Sequence, residues 1–223
     1  MKKLIIIRIL LIAFICSADI MVAALLIYRW KENGTLIPST QASVDLAGIL
    51  HQNLMLLVVP IVVFVVFLAF LKKDFVDQMY LRVKGKLQWS VVIALILCLC
   101  GILIRHLIVH DDKITVFFLL FYYVFVIAFA EEYVCRDACT YLLKNEKSTI
   151  RYIVPNLLFA LMHIFNYSGW GAITGEYIFR FMRYDMPVIL CIGCFNQALK
   201  EKTGTIWIPV LLHAAWDFAL AFN

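Results

Sequence analysis

Long apolar runs, separated by short polar stretches, account for most of this chain. They cover 4–28, 46–71, 87–109, 114–143, 150–165, 186–199 and 205–222. Most approach the ~20 residues a helix needs to cross a bilayer; the fifth and sixth are short. Residues 166–185 read differently. Gly169, Gly171 and Gly175 are followed by a short amphipathic stretch, 177–184. This predicts a loop and a short helix that is re-entrant or interfacial, since irregular backbone survives at membrane depth only under a protein cover. The expected fold is therefore all-α. It is a polytopic transmembrane bundle of about seven spans, or eight with the short helix. Residues 1–113 supply N-terminal transmembrane helices, and 114–223 a core that continues the same bundle.

The N-terminus needs one distinction. Lys2 and Lys3 precede an apolar run, as in a signal peptide. That run is longer than a usual signal core, and Cys16-Ser17-Ala18 makes a poor cleavage site, so an uncleaved first span is expected.

Composition sharpens this picture. The 223 residues are 64% hydrophobic and 16% charged, which excludes an ordinary soluble domain. The net charge of +5 does not point to nucleic acid, because the basic residues sit in short loops, where they set topology. Lys2 and Lys3 mark one side of the membrane. Lys72, Lys73, Arg82, Lys84 and Lys86 follow the second run, Lys144, Lys147 and Arg151 the fourth, and Lys200 and Lys202 the sixth. All precede the first run or follow an even-numbered one and so fall on one side, which predicts a cell-membrane protein with its N-terminus in the cytoplasm and its C-terminus outside. Arg180 and Arg183 run against that bias unless the short helix dips back. The seven cysteines lie almost wholly in apolar runs, which argues against a disulfide framework. Cys191 and Cys194 have metal or redox spacing but read as two small apolar side chains.

Three polar clusters interrupt the apolar runs. Glu131-Glu132 precede Arg136, His163 follows Phe159, and His213 precedes Asp217. Ionisable groups at such positions are costly and usually face a protein interior that uses them. Glu131 lies 13 residues before Lys144, His163 lies 12 after Arg151, and His213 lies 11 after Lys202. At ~1.5 Å per helical residue, these put all three at similar depth. Glu132 and Arg136 are spaced i, i+4 with the acid first, the favourable orientation for an ion pair. Glu131 points about 100° away and stays outside that pair. His213 and Asp217 are also i, i+4. Asn156, seven residues before His163, shares its face, though beside Pro155 it also reads as a helix-start residue.

Blander readings exist for each cluster: interfacial acids at a helix end, a packed histidine, a simple His–carboxylate bond. The three together point to one interior site. A carboxylate can deprotonate water while imidazoles position it and stabilise an oxyanion. The same Glu131, His163, His213 and Asp217 could instead ligate zinc. There is no His-Glu-x-x-His motif of the helical zinc proteases and no Gly-x-Ser-x-Gly.

The ordered set Glu-Glu-x-x-x-Arg, Phe-x-x-x-His and His-x-x-x-Asp resembles the CPBP intramembrane proteases, which include the type II CAAX prenyl endopeptidases and the bacterial Abi proteins. The stretch from Lys202 to Leu212 also looks like the lead-in to that family's last motif. The resemblance implies a membrane endopeptidase acting on membrane-associated or small secreted peptides. It makes Glu131 the residue that activates water and places His163, His213 and Asp217 around it. Glu132, Arg136, Phe159 and Asn156 support them. The resemblance favours a mechanism without a metal cofactor. The partners expected are membrane lipid and a peptide or membrane-protein substrate. Asp217 stands where the prenyl endopeptidases carry asparagine, which reopens the zinc alternative. Some bacterial members are tied to bacteriocin immunity, so the other reading is a non-proteolytic immunity or regulatory protein that keeps the fold.

Overall fold

A computed structural model describes residues 2–37, 45–66, 69, 81–167 and 174–221. Among these residues there are helices and no strands. Helix α1 is Lys2–Glu32 and α2 is Leu46–Leu56. Helix α3, Val58–Val66, meets α2 at a 42° bend. The bend has a local cause. Pro60 has no backbone N–H to give to Leu56, and its ring crowds that carbonyl. The second apolar run is thus broken where the sequence pattern was continuous, and the rest of it, with Lys72 and Lys73, lies outside the described residues.

Helix α4, Lys86–Val109, buries Val92, Leu99 and His106, one stripe repeating every seventh residue. Its opposite face carries Leu87, Leu97, Ile104 and Ile108, all exposed, as suits lipid contact. Helix α5, Lys113–Leu142, starts where the Asp112 side chain accepts a 3.1 Å bond from the Thr115 N–H. Helix α6 is Ser148–Tyr167. Helix α7 opens as Gly175–Arg180, passes through a π-helical stretch, Phe181–Asp185, and continues as Met186–Thr203. Gly204, at φ +68°, ends it and gives its N–H to the Lys200 carbonyl. A left-handed residue there favours glycine. Helix α8 is Trp207–Leu220.

Helix α8 packs on α4 and α5, α7 packs on α6 and α8, and α1 lies against α6. His106 Nε2 donates to the Phe218 carbonyl at 3.0 Å, pinning α4 to α8 inside the bundle. Arg8 reaches Glu146 at 3.2 Å, fastening α1 to the turn after α5.

One expectation changes. The short helix at 177–184 is not separate: it is the N-terminal part of α7, so the sixth run is longer than its apolar stretch. Arg180, Arg183 and Asp185 interrupt the hydropathy there without interrupting the helix. Gly169 and Gly171 lie outside the described residues. The count of about seven spans is not confirmed. Among the described residues, α4 and α5 are long and apolar enough to cross a membrane, and the bent α2–α3 pair makes a third. Helix α8 has 14 residues, about 21 Å, and α6 and α7 carry polar groups along faces that are buried against each other.

Candidate active site

The site begins with a departure from α-helical geometry. Two π-helical stretches, Tyr122–Ala128 and Tyr133–Ala138, flank one turn of α-helix at Phe129–Glu132. In each the closing N–H reaches five residues back, from Phe129 to Val124 and from Cys139 to Val134. Such wide turns re-aim side chains and recur at functional sites. Here they bracket the acidic pair, and both acids face the same histidine.

Glu132 is fully buried and held from three sides. Arg136 Nε lies 3.3 Å from its Oε2, Asn196 Nδ2 donates to Oε1 at 3.0 Å, and His213 Nδ1 reaches Oε1 at 3.0 Å. A carboxylate can only accept, so the histidine nitrogen donates. Glu131 approaches the other side of the ring, with Oε2 3.8 Å from His213 Nε2. That is beyond hydrogen-bond length, and this buried oxygen has no hydrogen-bond partner among the described residues. Asp217 Oδ2 is 3.3 Å from His213 Nε2, one helical turn on. The small neighbours Ala214 and Ala215 are buried and let α8 come close to α5.

His163 stands on α6. Its Nδ1 donates to the Phe159 carbonyl at 2.9 Å, so the neutral ring carries its lone pair on Nε2. Phe159 meets it edge to face at 4.5 Å, and the Arg136 guanidinium lies over the Phe159 ring at 4.2 Å. Arg136 therefore joins the first motif to the second.

A cavity of about 530 Å³ is lined by Glu131, His163, His213 and Asp217, with Tyr122, Tyr123 and Ile127. A second, of about 550 Å³, shares His163, His213 and Asp217 and is otherwise largely apolar, with Ile189, Leu212 and Trp216 among its walls. The four residues expected at the site thus converge. Glu132, Arg136 and Phe159 form the layer behind them. Asn156 does not line the first cavity. It is buried against α7, where its Nδ2 donates to the Tyr152 carbonyl and its Oδ1 crowds Gly193.

Some participants were not read from the sequence. Asn196, on α7, holds Glu132. Asp137 pairs with Lys200, both buried, and Lys200 Nζ also donates to the Arg136 carbonyl. Lys200 had been counted among the loop charges that set topology, and the structure turns it inward, leaving Lys202 at that end. The signal for Asn196 and Asp137 was present, since each is a polar residue inside an apolar run. Tyr122 and Tyr123 gave none.

His213 turns Nδ1 to Glu132 and Nε2 to Asp217, with Glu131 Oε2 3.8 Å from the same Nε2. Among the described residues no three His, Cys, Asp or Glu side chains are disposed to hold a metal ion. Among the described residues Cys98, Cys100, Cys135, Cys139, Cys191 and Cys194 form no disulfide.

Residues 113–219 match the family model described as type II CAAX prenyl endopeptidase Rce1-like. The matched segment runs from the start of α5 to the end of α8 and contains every residue of the site. Neither a curated protein nor a solved structure matches the chain.

Proposed function

We propose, from a chain whose residues 113–219 belong to the Rce1-like type II CAAX prenyl endopeptidases, that this membrane protein is an intramembrane endopeptidase using a glutamate-activated water. One observation carries the reading: Glu131, His163, His213 and Asp217, from three helices, line a single cavity, and Glu131 has a buried oxygen without a hydrogen bond.

In this reading Glu131 takes a proton from water as the hydroxide oxygen attacks the scissile carbonyl carbon. His163 accepts a hydrogen bond from that water through Nε2, which its bond to Phe159 leaves as the acceptor in the neutral ring. His213 and Asp217 line the same cavity, and His213 stabilises charge on the carbonyl oxygen. Glu131 then returns the proton to the leaving amine as the C–N bond breaks. Glu132 is the positioning group. Its bonds to Arg136, Asn196 and His213 fix the imidazole without entering the cavity. The apolar second cavity, continuous with the polar residues, suits a peptide whose flanking side chains are hydrophobic. No metal takes part in this scheme.

The test is a comparison of wild type with Glu131→Gln, reconstituted in vesicles and present at equal amounts. Peptidomic analysis of membrane and secreted fractions should find peptides shortened only with the wild type. Identical peptide profiles, with a phenotype unchanged by Glu131→Gln, would replace the protease by a non-proteolytic binding protein.

A further inference from the structure

A second, polar cavity of about 240 Å³ lies where α5 ends and α6 begins, against the last turns of α7. Its walls include Tyr141, Lys144, Arg151, Gln197, Lys200 and Glu201. None of these residues belongs to the proposed peptidase site.

The charges around it are unevenly matched. Lys200 is neutralised by Asp137 beneath it. Glu201 is saturated by three donors: Arg151 at 3.2 Å, the Tyr152 hydroxyl at 2.8 Å and Gln197 at 2.7 Å. Arg151 keeps a buried Nε with no hydrogen-bond partner among the described residues. Lys144 donates to the Tyr141 hydroxyl at 2.9 Å and lies over the same ring at 4.1 Å, and no carboxylate among the described residues pairs with it. The cavity therefore keeps one excess positive charge and an unused guanidinium N–H. A half-buried cation whose partner among the described residues is a phenol leaves an electrostatic gap that an anion would fill.

Location narrows the class of anion. The turn at 143–147 joins two apolar helices, so it lies at a membrane surface, where lipid phosphates are concentrated. Basic pockets between transmembrane helices at that level hold anionic headgroups. A cavity of about 240 Å³ has room for a phosphate group. We propose that the cavity between α5, α6 and α7 binds the phosphate of an anionic membrane lipid, with Lys144 and Arg151 as its donors. The proposal is independent of the peptidase reading, because its readout is binding and not cleavage.

The test uses the full chain, purified in neutral detergent and offered phosphatidylglycerol or phosphatidylcholine. Native mass spectrometry counts retained lipid, and thermal unfolding gives a second readout. The variants are Lys144→Gln, which breaks no ion pair, and Lys147→Gln, an exposed residue of the same turn. Expected is preferential retention of phosphatidylglycerol, reduced several-fold in Lys144→Gln and unchanged in Lys147→Gln, with a rise in Tm that Lys144→Gln abolishes. Equal retention of the two lipids, or equal losses in the two variants, would overturn the site in favour of diffuse surface attraction. A Tm rise of the same size with inorganic phosphate alone would overturn the lipid assignment and leave a free-anion site.

Discussion

At the scale of single residues, the site divides into groups that face the cavity and groups that hold them. Glu131 lines the cavity, whereas Glu132 lies behind it in an ion pair with Arg136, so the loss of Glu131 should act on rate. Glu131→Gln is expected to lower turnover by roughly 10²–10⁴, the usual contribution of a general base, with the membrane level and Tm close to wild type. Arg136→Ala should do the opposite. It strips Glu132 of its partner in a fully buried setting, a change that costs about 3–5 kcal/mol, so steady-state protein in the membrane should fall. Normal levels would place the pair outside the packed interior. Asp217→Asn bears on the cofactor. With water activated by Glu131 alone, asparagine can still hydrogen-bond the ring or the substrate, and much of the activity should remain after exhaustive chelation. Stoichiometric zinc in the purified protein, with activity lost on chelation and restored by zinc, would move the assignment to the metal mechanism.

At the scale of elements, two features let the helices deliver these side chains. The π-helical stretches of α5 keep both Glu131 and Glu132 turned toward α8. The approach of α6 to α7 depends on Gly193. A Cβ there would sit 2.5 Å from Asn156 Oδ1 and 2.9 Å from Arg136 Nη2. Gly193→Ala should therefore push the helices apart or displace the guanidinium. A loss of about 1–3 kcal/mol is expected, as for other overpacked interiors, measurable as a lower Tm. Activity should fall with it, because Arg136 also covers Phe159 and so reaches both motifs. A Gly193→Ala protein with unchanged Tm and activity would mean that this contact is looser than its geometry implies.

At the scale of the whole molecule, the question is how the bundle sits in its membrane. The basic residues of the described loops, Arg82, Lys84, Lys144, Lys147 and Lys202, still favour one face, even with Lys200 withdrawn into the interior. A reporter fused after Lys84 is expected in the cytoplasm, and one fused at the C-terminus outside. Both on one side would mean an even number of crossings, and the equal-depth argument for Glu131, His163 and His213 would lose its basis.

What the sequence determined by itself was the class of the fold and the ingredients of the site. Long apolar runs are self-evident in one dimension, and charged groups inside them stand out because burying them is costly. The i, i+4 pairs Glu132–Arg136 and His213–Asp217 are local, so helical geometry alone brings them together. Tertiary structure decided the rest. That Glu132 and Glu131 approach opposite sides of one imidazole depends on π turns that no spacing rule encodes. Asn196 and Lys200 acquired their partners from helices more than 60 residues away, and a lysine near a helix end looks the same in sequence whether it faces solvent or Asp137. The extent of α7 was also hidden, because backbone hydrogen bonds carry a helix through Arg180, Arg183 and Asp185 where hydropathy alone suggests an end.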